Sequence, residues 1–225
     1  ELLVIRAEYG DERRTEINRD SINLATEDLI EPQDVVVTLS HAGYAKSQPL
    51  DAYQAQRRGG VGRSGAPVRE EDSIEHLLVA NSHHTILCFS DRGSVFWLNA
   101  SEIPVASRGA KGRPLVNLLR LEGDERITSL LPVGSFDADR FVFMATSDGT
   151  VKKTPLDAFS RPRGNGLIAI DLGADDHLVG TAITDGSSDV LLFSSGGKAV
   201  RFKESAVRAM GRTAHGVRGM RLGAG

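Results

Sequence analysis

The chain has 225 residues, with 27 Lys and Arg against 30 Asp and Glu for a formal net charge of −3, and it is 40% hydrophobic but only 5% aromatic. On totals alone that balance argues against a nucleic-acid binder of the plainly basic kind, and no stretch approaches the roughly 18 consecutive apolar residues of a membrane span. There is no signal-peptide pattern and a single cysteine, Cys88, within Ile86-Leu87-Cys88-Phe89, so no disulfide framework is expected, and the expectation is a soluble cytoplasmic protein with a buried thiol.

Residues 1–33 carry no strand pattern and read as a lead-in. From there one unit returns four times, at Val35–Lys46, Thr85–Phe96, Phe141–Lys152 and Val190–Arg201. Each copy is an apolar run, a Ser/His/Asp/Arg turn closed by Gly, and a second short strand. The β-branched and aromatic content and the turn chemistry predict a hairpin, with Gly43, Gly93, Gly149 and Gly197 supplying the positive φ of a tight turn. Those glycines lie 50, 56 and 48 residues apart, and a period near 50 belongs to blades or arrays.

A second set of glycines, Gly62, Gly112, Gly166 and Gly216, follows the first by 19, 19, 17 and 19 residues. Each closes a basic, Gly-rich stretch: Gln56-Arg57-Arg58-Gly59-Gly60-Val61-Gly62, Arg108-Gly109-Ala110-Lys111-Gly112, Arg161-Pro162-Arg163-Gly164-Asn165-Gly166 and Arg212-Thr213-Ala214-His215-Gly216. Two further strands are expected after the later stretches, at 115–121 and 127–133, then at 167–172 and 178–183. Four strands in about 50 residues make a propeller-type blade. The class is therefore all-β, with blades near 34–83, 84–138, 139–188 and 189–225, the last incomplete. Helix is a poor reading for most of the chain, the chief exception being a turn after each hairpin, as at Pro49–Gln56 or Glu204–Met210.

The near-neutral total conceals a segregation. Counted from each hairpin turn or strand through its Gly-rich stretch, the four copies sum to +12, and the remainder of the chain carries −15. In a blade array the same phase of every repeat lands on the same part of the ring, so the positive set predicts a basic rim. Its members are Lys46, Arg63, Arg92, Arg108, Lys111, Arg113, Lys152, Lys153, Arg161, Arg163, Lys198, Arg201, Arg208, Arg212 and Arg218, alongside the run at Gln56–Gly62. Arg can fork two hydrogen bonds to a phosphate, and Gly lets backbone N–H groups approach its oxygens. Few aromatics interleave, so the partner expected is duplex backbone rather than stacked single strands.

Other chemistry lacks its parts. There is no G-x-x-x-x-G-K-[ST] loop and no G-x-S-x-G elbow. Adjacent His83 and His84 point to opposite faces of a strand and cannot form a metal site with one Cys, so no metal is expected. The acidic groups Glu70-Glu71-Asp72, Asp124-Glu125 and Asp175-Asp176 are read as solvated turns.

The run Gln56-Arg57-Arg58-Gly59-Gly60-Val61-Gly62 resembles the glycine-rich box of the DNA gyrase A-subunit family, read as Gln, Arg/Lys, Arg, Gly, Gly, Lys/Arg, Gly. Val61 departs from it, standing where the family has Lys or Arg and removing one phosphate contact. Glu8–Ile17 resembles the join between that family's breakage-reunion and C-terminal domains, and Leu192–Ser205 with Val207–Gly211 resembles its fourth blade. The resemblance implies a β-propeller-like β-pinwheel, six blades in the family with about four visible here, whose rim binds, bends and wraps duplex DNA. It implies a non-catalytic part of an ATP-dependent type II topoisomerase that introduces negative supercoils. Its partners would then be the breakage-reunion domain and the gyrase B subunit, with ATP and Mg used on other domains and no cofactor in this chain. The alternatives are a protein-binding β-propeller and the C-terminal domain of the topoisomerase IV A subunit.

Overall fold

Three consecutive valines and a leucine open the first sheet. In the computed structural model, which describes residues 2–10, 29–53, 72–107 and 109–223, β1 (Asp34–Ser40) folds back as β2 (Tyr44–Pro49). The register runs from Val35 opposite Pro49 to Leu39 opposite Ala45, and Gly43 turns the corner at φ 80°. β3 (Ile74–Asn81) pairs antiparallel with the free side of β1. The second hairpin is β4 (Thr85–Ser90) and β5 (Ser94–Asn99), turned by Gly93 at φ 77°. Next come the two-residue β6 (Arg113–Pro114) and then β7 (Ile127–Val133), which pairs with β4. The third repeat supplies β8 (Phe141–Thr146), β9 (Thr150–Pro155), the short β10 (Leu167–Ile168) and β11 (Leu178–Thr184). The fourth supplies β12 (Asp189–Phe193), β13 (Ala199–Lys203) and β14 (Val217–Arg218).

The sheets do not follow the repeats. Their orders are β3-β1-β2-β6, β7-β4-β5-β10 and β11-β8-β9-β14, with β12-β13 as a two-stranded sheet among the described residues. Three strands of each full blade come from one repeat, and the fourth, outermost one comes from the following repeat. Blades are thus fastened to their neighbours by exchanged strands as well as by packing. At the opposite edge β3, β7 and β11 touch in series.

The central strands read as continuous apolar runs because both faces are covered. β4 shows the period-2 division of labour: Ile86 and Cys88 join Val35, Val37 and Leu39 between the first two blades. Leu87 and Phe89 face the other way, toward Val142, Met144 and Phe159. Phe159 meets Phe89 edge-on with 5.9 Å between ring centroids. Cys88 is fully buried, and desolvation pushes its thiol pKa far up, so it serves as a small apolar core group.

Two expectations are corrected. The run 115–121 is not a strand: Leu118 and Leu119 N–H both return to Leu115 O, and the resulting turn of 3-10 helix buries Leu115 and Leu119 in the core. Of 167–172 only Leu167–Ile168 is strand, and it belongs to the preceding blade. The turns of helix expected after the hairpins are single 3-10 turns, at Leu50–Ala52, Ala100–Glu102, Leu156–Phe159 and Glu204–Ala206. Within the lead-in, α1 (Leu2–Tyr9) forms from good helix formers and buries none of its residues. No helix among the described residues is long and apolar enough to cross a membrane.

Candidate nucleic-acid interface

The Gly-rich stretches of the second, third and fourth repeats each lead into a strand on the outer edge of the blade before it. After its 3-10 turn the second repeat runs parallel to β2, with Val105 beside Ser47, and Ala106 N–H bonds Ser47 O. It leaves β2 after Ala106 and returns antiparallel as β6, Arg113 opposite Ala45. The fourth repeat does the same against β9: Ala209 lies beside Lys153, and β14 returns with Val217 opposite Val151. The return needs Gly112, whose φ is 89° and where a Cβ would collide with Ala45 O.

These outer loops and exchanged strands expose Lys111 and Arg113 from the second repeat, Arg161 and Arg163 from the third, and Arg208 and Arg218 from the fourth. Arg212 is half-buried. Arg161, Arg163 and Arg212, from two successive repeats, converge on one groove of about 450 Å³ with Ser160, Asp157 and Leu167. Lys111 Nζ is steadied 3.9 Å over the Tyr44 ring. Arg120, outside the sequence-derived set because it lies out of phase with the repeats, donates to Asn165 Oδ1 at 2.9 Å and so joins the third basic turn. Guanidinium groups held this way can fork onto successive phosphate oxygens.

Other members of the expected rim lie elsewhere. Arg92 sits in a hairpin turn, ion-paired with Asp124, and Lys198 is exposed in the last hairpin turn. Arg201 and Lys203 both hold Asp189, which those hydrogen bonds, Arg201's first, pull down to about 2. Lys46, Lys152 and Lys153 are not on the rim at all: their side chains are buried, because each finds fixed oxygen partners inside. Lys46 Nζ donates to Ala110 O at 3.1 Å and Ser107 O at 3.4 Å. Lys152 Nζ donates to Ala169 O at 2.7 Å and to Arg212 O. Lys153 Nζ reaches Glu204, with 3.3 Å to its carbonyl and 3.7 Å to its carboxylate. The box Gln56, Arg57, Arg58, Gly59, Gly60, Val61 and Gly62, with Arg63 and Arg108, lies outside the described residues.

Glu70 and Glu71 lie outside the described residues, and Asp72, Asp124 and Asp176 each meet a residue of a hairpin turn. Asp72 accepts from Ala42 N–H at 2.9 Å. Asp176 and Glu125, expected in solvated turns, are buried instead. Burial pushes the Asp176 carboxyl up, but hydrogen bonds from Thr146, Asp148, Ser147 and His177 outweigh it and hold the group below the usual range. His83 and His84 are also occupied locally, by Ile30 O and by Asn81 N–H.

Lys152 makes the interior charge measurable. Burial, aided by the adjacent Arg212 and opposed by Asp171, lowers its pKa to about 8. An unfolded Lys titrates near ~10.4, so between roughly pH 8 and 10 the unfolded chain binds more protons and this group's contribution to stability rises with pH. Denaturant melts of the unaltered chain and Lys152→Met should therefore diverge in favour of the unaltered chain from about pH 7 to about pH 10. A difference independent of pH would contradict the burial of this ammonium.

Comparison with known proteins places the arrangement. The family model described as DNA gyrase C-terminal domain, beta-propeller, matches residues 34–81, 84–134, 140–185 and 188–225. The chain is 60% identical over 222 residues to the DNA gyrase A protein of Salmonella typhimurium, covering 99% of this chain and 25% of that protein. It is 58% identical to the Haemophilus influenzae counterpart, again over 99% of this chain and 25% of the relative. The chain thus spans about a quarter of the curated relatives it matches. Among solved structures, the C-terminal domain of DNA topoisomerase IV aligns with a TM-score of 0.72 at 28% identity, covering 87% of this chain and 59% of that one. A DNA gyrase A C-terminal domain aligns with a TM-score of 0.68 at 26% identity, covering 86% and 62%.

Proposed function

The chain belongs to the DNA gyrase C-terminal domain family, and from that premise we propose that it binds duplex DNA along the outer edges of its blades, bends it, and presents it for strand passage. One observation carries the reading: the basic loops of successive repeats stand on the same outer edge, and two of them close one arginine-lined groove. Bending 20–30 base pairs by 40–90° costs on the order of 1–6 kcal/mol, which many backbone contacts spread over several blades can offset. A wrap of fixed hand then biases which duplex is passed, giving an ATP-dependent type II topoisomerase its negative supercoiling. The catalytic tyrosine, the ATPase and their Mg belong to other domains of that assembly, whose breakage-reunion domain and gyrase B subunit would be the partners in the bacterial cytoplasm. In this reading 1–33 leads in from the breakage-reunion domain and 34–225 is the wrapping domain.

The gyrase reading is favoured over topoisomerase IV by the intact glycines and paired arginines of Gln56–Gly62. The test is Arg57→Ala with Arg58→Ala in the whole enzyme. Negative supercoiling should be lost while relaxation and decatenation persist, and retained supercoiling in a topology assay would remove the box from the mechanism. A gel-shift with duplex DNA separates this function from that of a protein-binding propeller.

A further inference from the structure

Lys46 and Lys152 occupy the same repeat position, three residues after the hairpin glycines Gly43 and Gly149. Both are buried, and both cross from the outer hairpin strand of one blade into the backbone of the next repeat's basic loop. Lys46 takes Ser107 O and Ala110 O, both between Ala106, which lies along β2, and the return strand β6. Lys152 joins two segments of its own repeat to the fourth. Its ammonium lies in the third blade, Ala169 O follows β10, whose strand completes the second blade, and Arg212 O opens the fourth repeat's basic turn.

The rest of that turn is fastened to the same segment: Asp171 N–H donates to Ala214 O at 3.3 Å, and His215 Nδ1 lies 2.7 Å from Asp171 O. In the second blade the equivalent position is Phe96, and Gly166 of the third basic turn lies so close that a Cβ would stand 2.7 Å from the ring. One repeat position therefore holds the next basic loop in all three full blades, by ammonium in two and by an aromatic face in the third. An ammonium that donates to two carbonyls of fixed direction constrains a loop more than an apolar contact does.

We propose that Lys46 and Lys152 are positioning residues, which do not touch DNA but fix where the neighbouring basic loops stand and so set the curvature imposed on the duplex. This rests on the reading that the outer loops hold DNA. It separates two properties that a phosphate-contacting lysine would change together. Affinity for a short, straight duplex depends on how many cations are available, whereas bending depends on how those cations are spaced from blade to blade.

The test uses the complete polypeptide that carries this domain, with Lys46→Met, Lys152→Met and the double variant. Two quantities are read: affinity for a linear duplex of about 20 base pairs, and linking-number change when nicked circles are ligated with protein bound. We expect affinity within about threefold of the unaltered protein, an unchanged salt slope, and a linking-number change reduced by about half or more in the double variant. Unfolding would lower both readouts together. Lys152→Gln, which keeps an N–H donor without the charge, is the second variant should methionine fold poorly, and it should show the same split in weaker form. An unchanged linking number overturns the proposal. So does a parallel fall in affinity with a salt slope lower by about one, since that marks a direct phosphate contact. Should the unaltered protein itself neither bind duplex nor change linking number, the DNA-wrapping reading fails first.

Discussion

Alanine at Arg161, Arg163 and Arg212 together should weaken duplex binding by about a hundredfold near 0.1 M salt and lower the slope of log affinity against log salt by about three. The three guanidiniums line one groove built from two repeats, so they can engage consecutive phosphates of one duplex segment rather than scattered sites. Each lost phosphate contact removes close to one released counterion, which makes the salt slope a count of contacts and not merely of affinity. Sequence preference should not change, because phosphate contacts position a duplex without reading it. Arg92→Ala is the matched control: it also removes a guanidinium, but one already paired with Asp124 at a hairpin turn, and it should leave the slope near its original value. An unaltered slope in the triple variant would show that the groove does not face DNA.

The largest effect on stability is expected at Glu204. Its side chain is fully buried and accepts from Thr184 Oγ1 at 2.7 Å, Gly186 N–H at 3.1 Å and Ser188 N–H at 3.3 Å, with Lys153 Nζ at 3.7 Å. Thr184 ends β11 and residues 185–188 link it to β12, so one carboxylate fastens the fourth hairpin to the third blade. Glu204→Ala leaves a buried ammonium and two backbone N–H groups without that acceptor. Breaking such a pair costs about 3–5 kcal/mol, which lowers the melting temperature by about 10 °C in a chain of this size. Adding Lys153→Met should recover part of the loss, because it removes the stranded charge. A melting temperature for Glu204→Ala within about 2 °C of the unaltered chain would show that the carboxylate is dispensable.

The contrast between Lys111 and Lys152 explains why the basic rim was only partly legible in the sequence. Both belong to the positively charged part of their repeats, yet Lys111 is exposed over Tyr44, whereas Lys152 is buried against Ala169 O and Arg212 O. Nothing in Val151-Lys152-Lys153-Thr154 distinguishes a lysine that meets solvent from one that meets carbonyls. Those carbonyls arrive from segments 17 and 60 residues away. The exchange of strands between repeats is not legible for a related reason. β6 is two residues, Arg113–Pro114, too short to show a period of two, and it is strand only because β2 of another repeat offers it an edge.

The sequence by itself determined what is local: four hairpins with glycines at positive φ, a period near 50, and a charge of +12 segregated by phase behind a total of −3. The hairpins follow from turn chemistry and side-chain alternation within a dozen residues, and the period and the charge segregation from setting the four repeats side by side. Only the tertiary structure decided which repeat completes which blade, which arginines converge on a common groove, and which lysines face inward. Those outcomes depend on backbone groups that meet across repeats, and a buried ammonium follows the oxygens available to it rather than the pattern of its own strand.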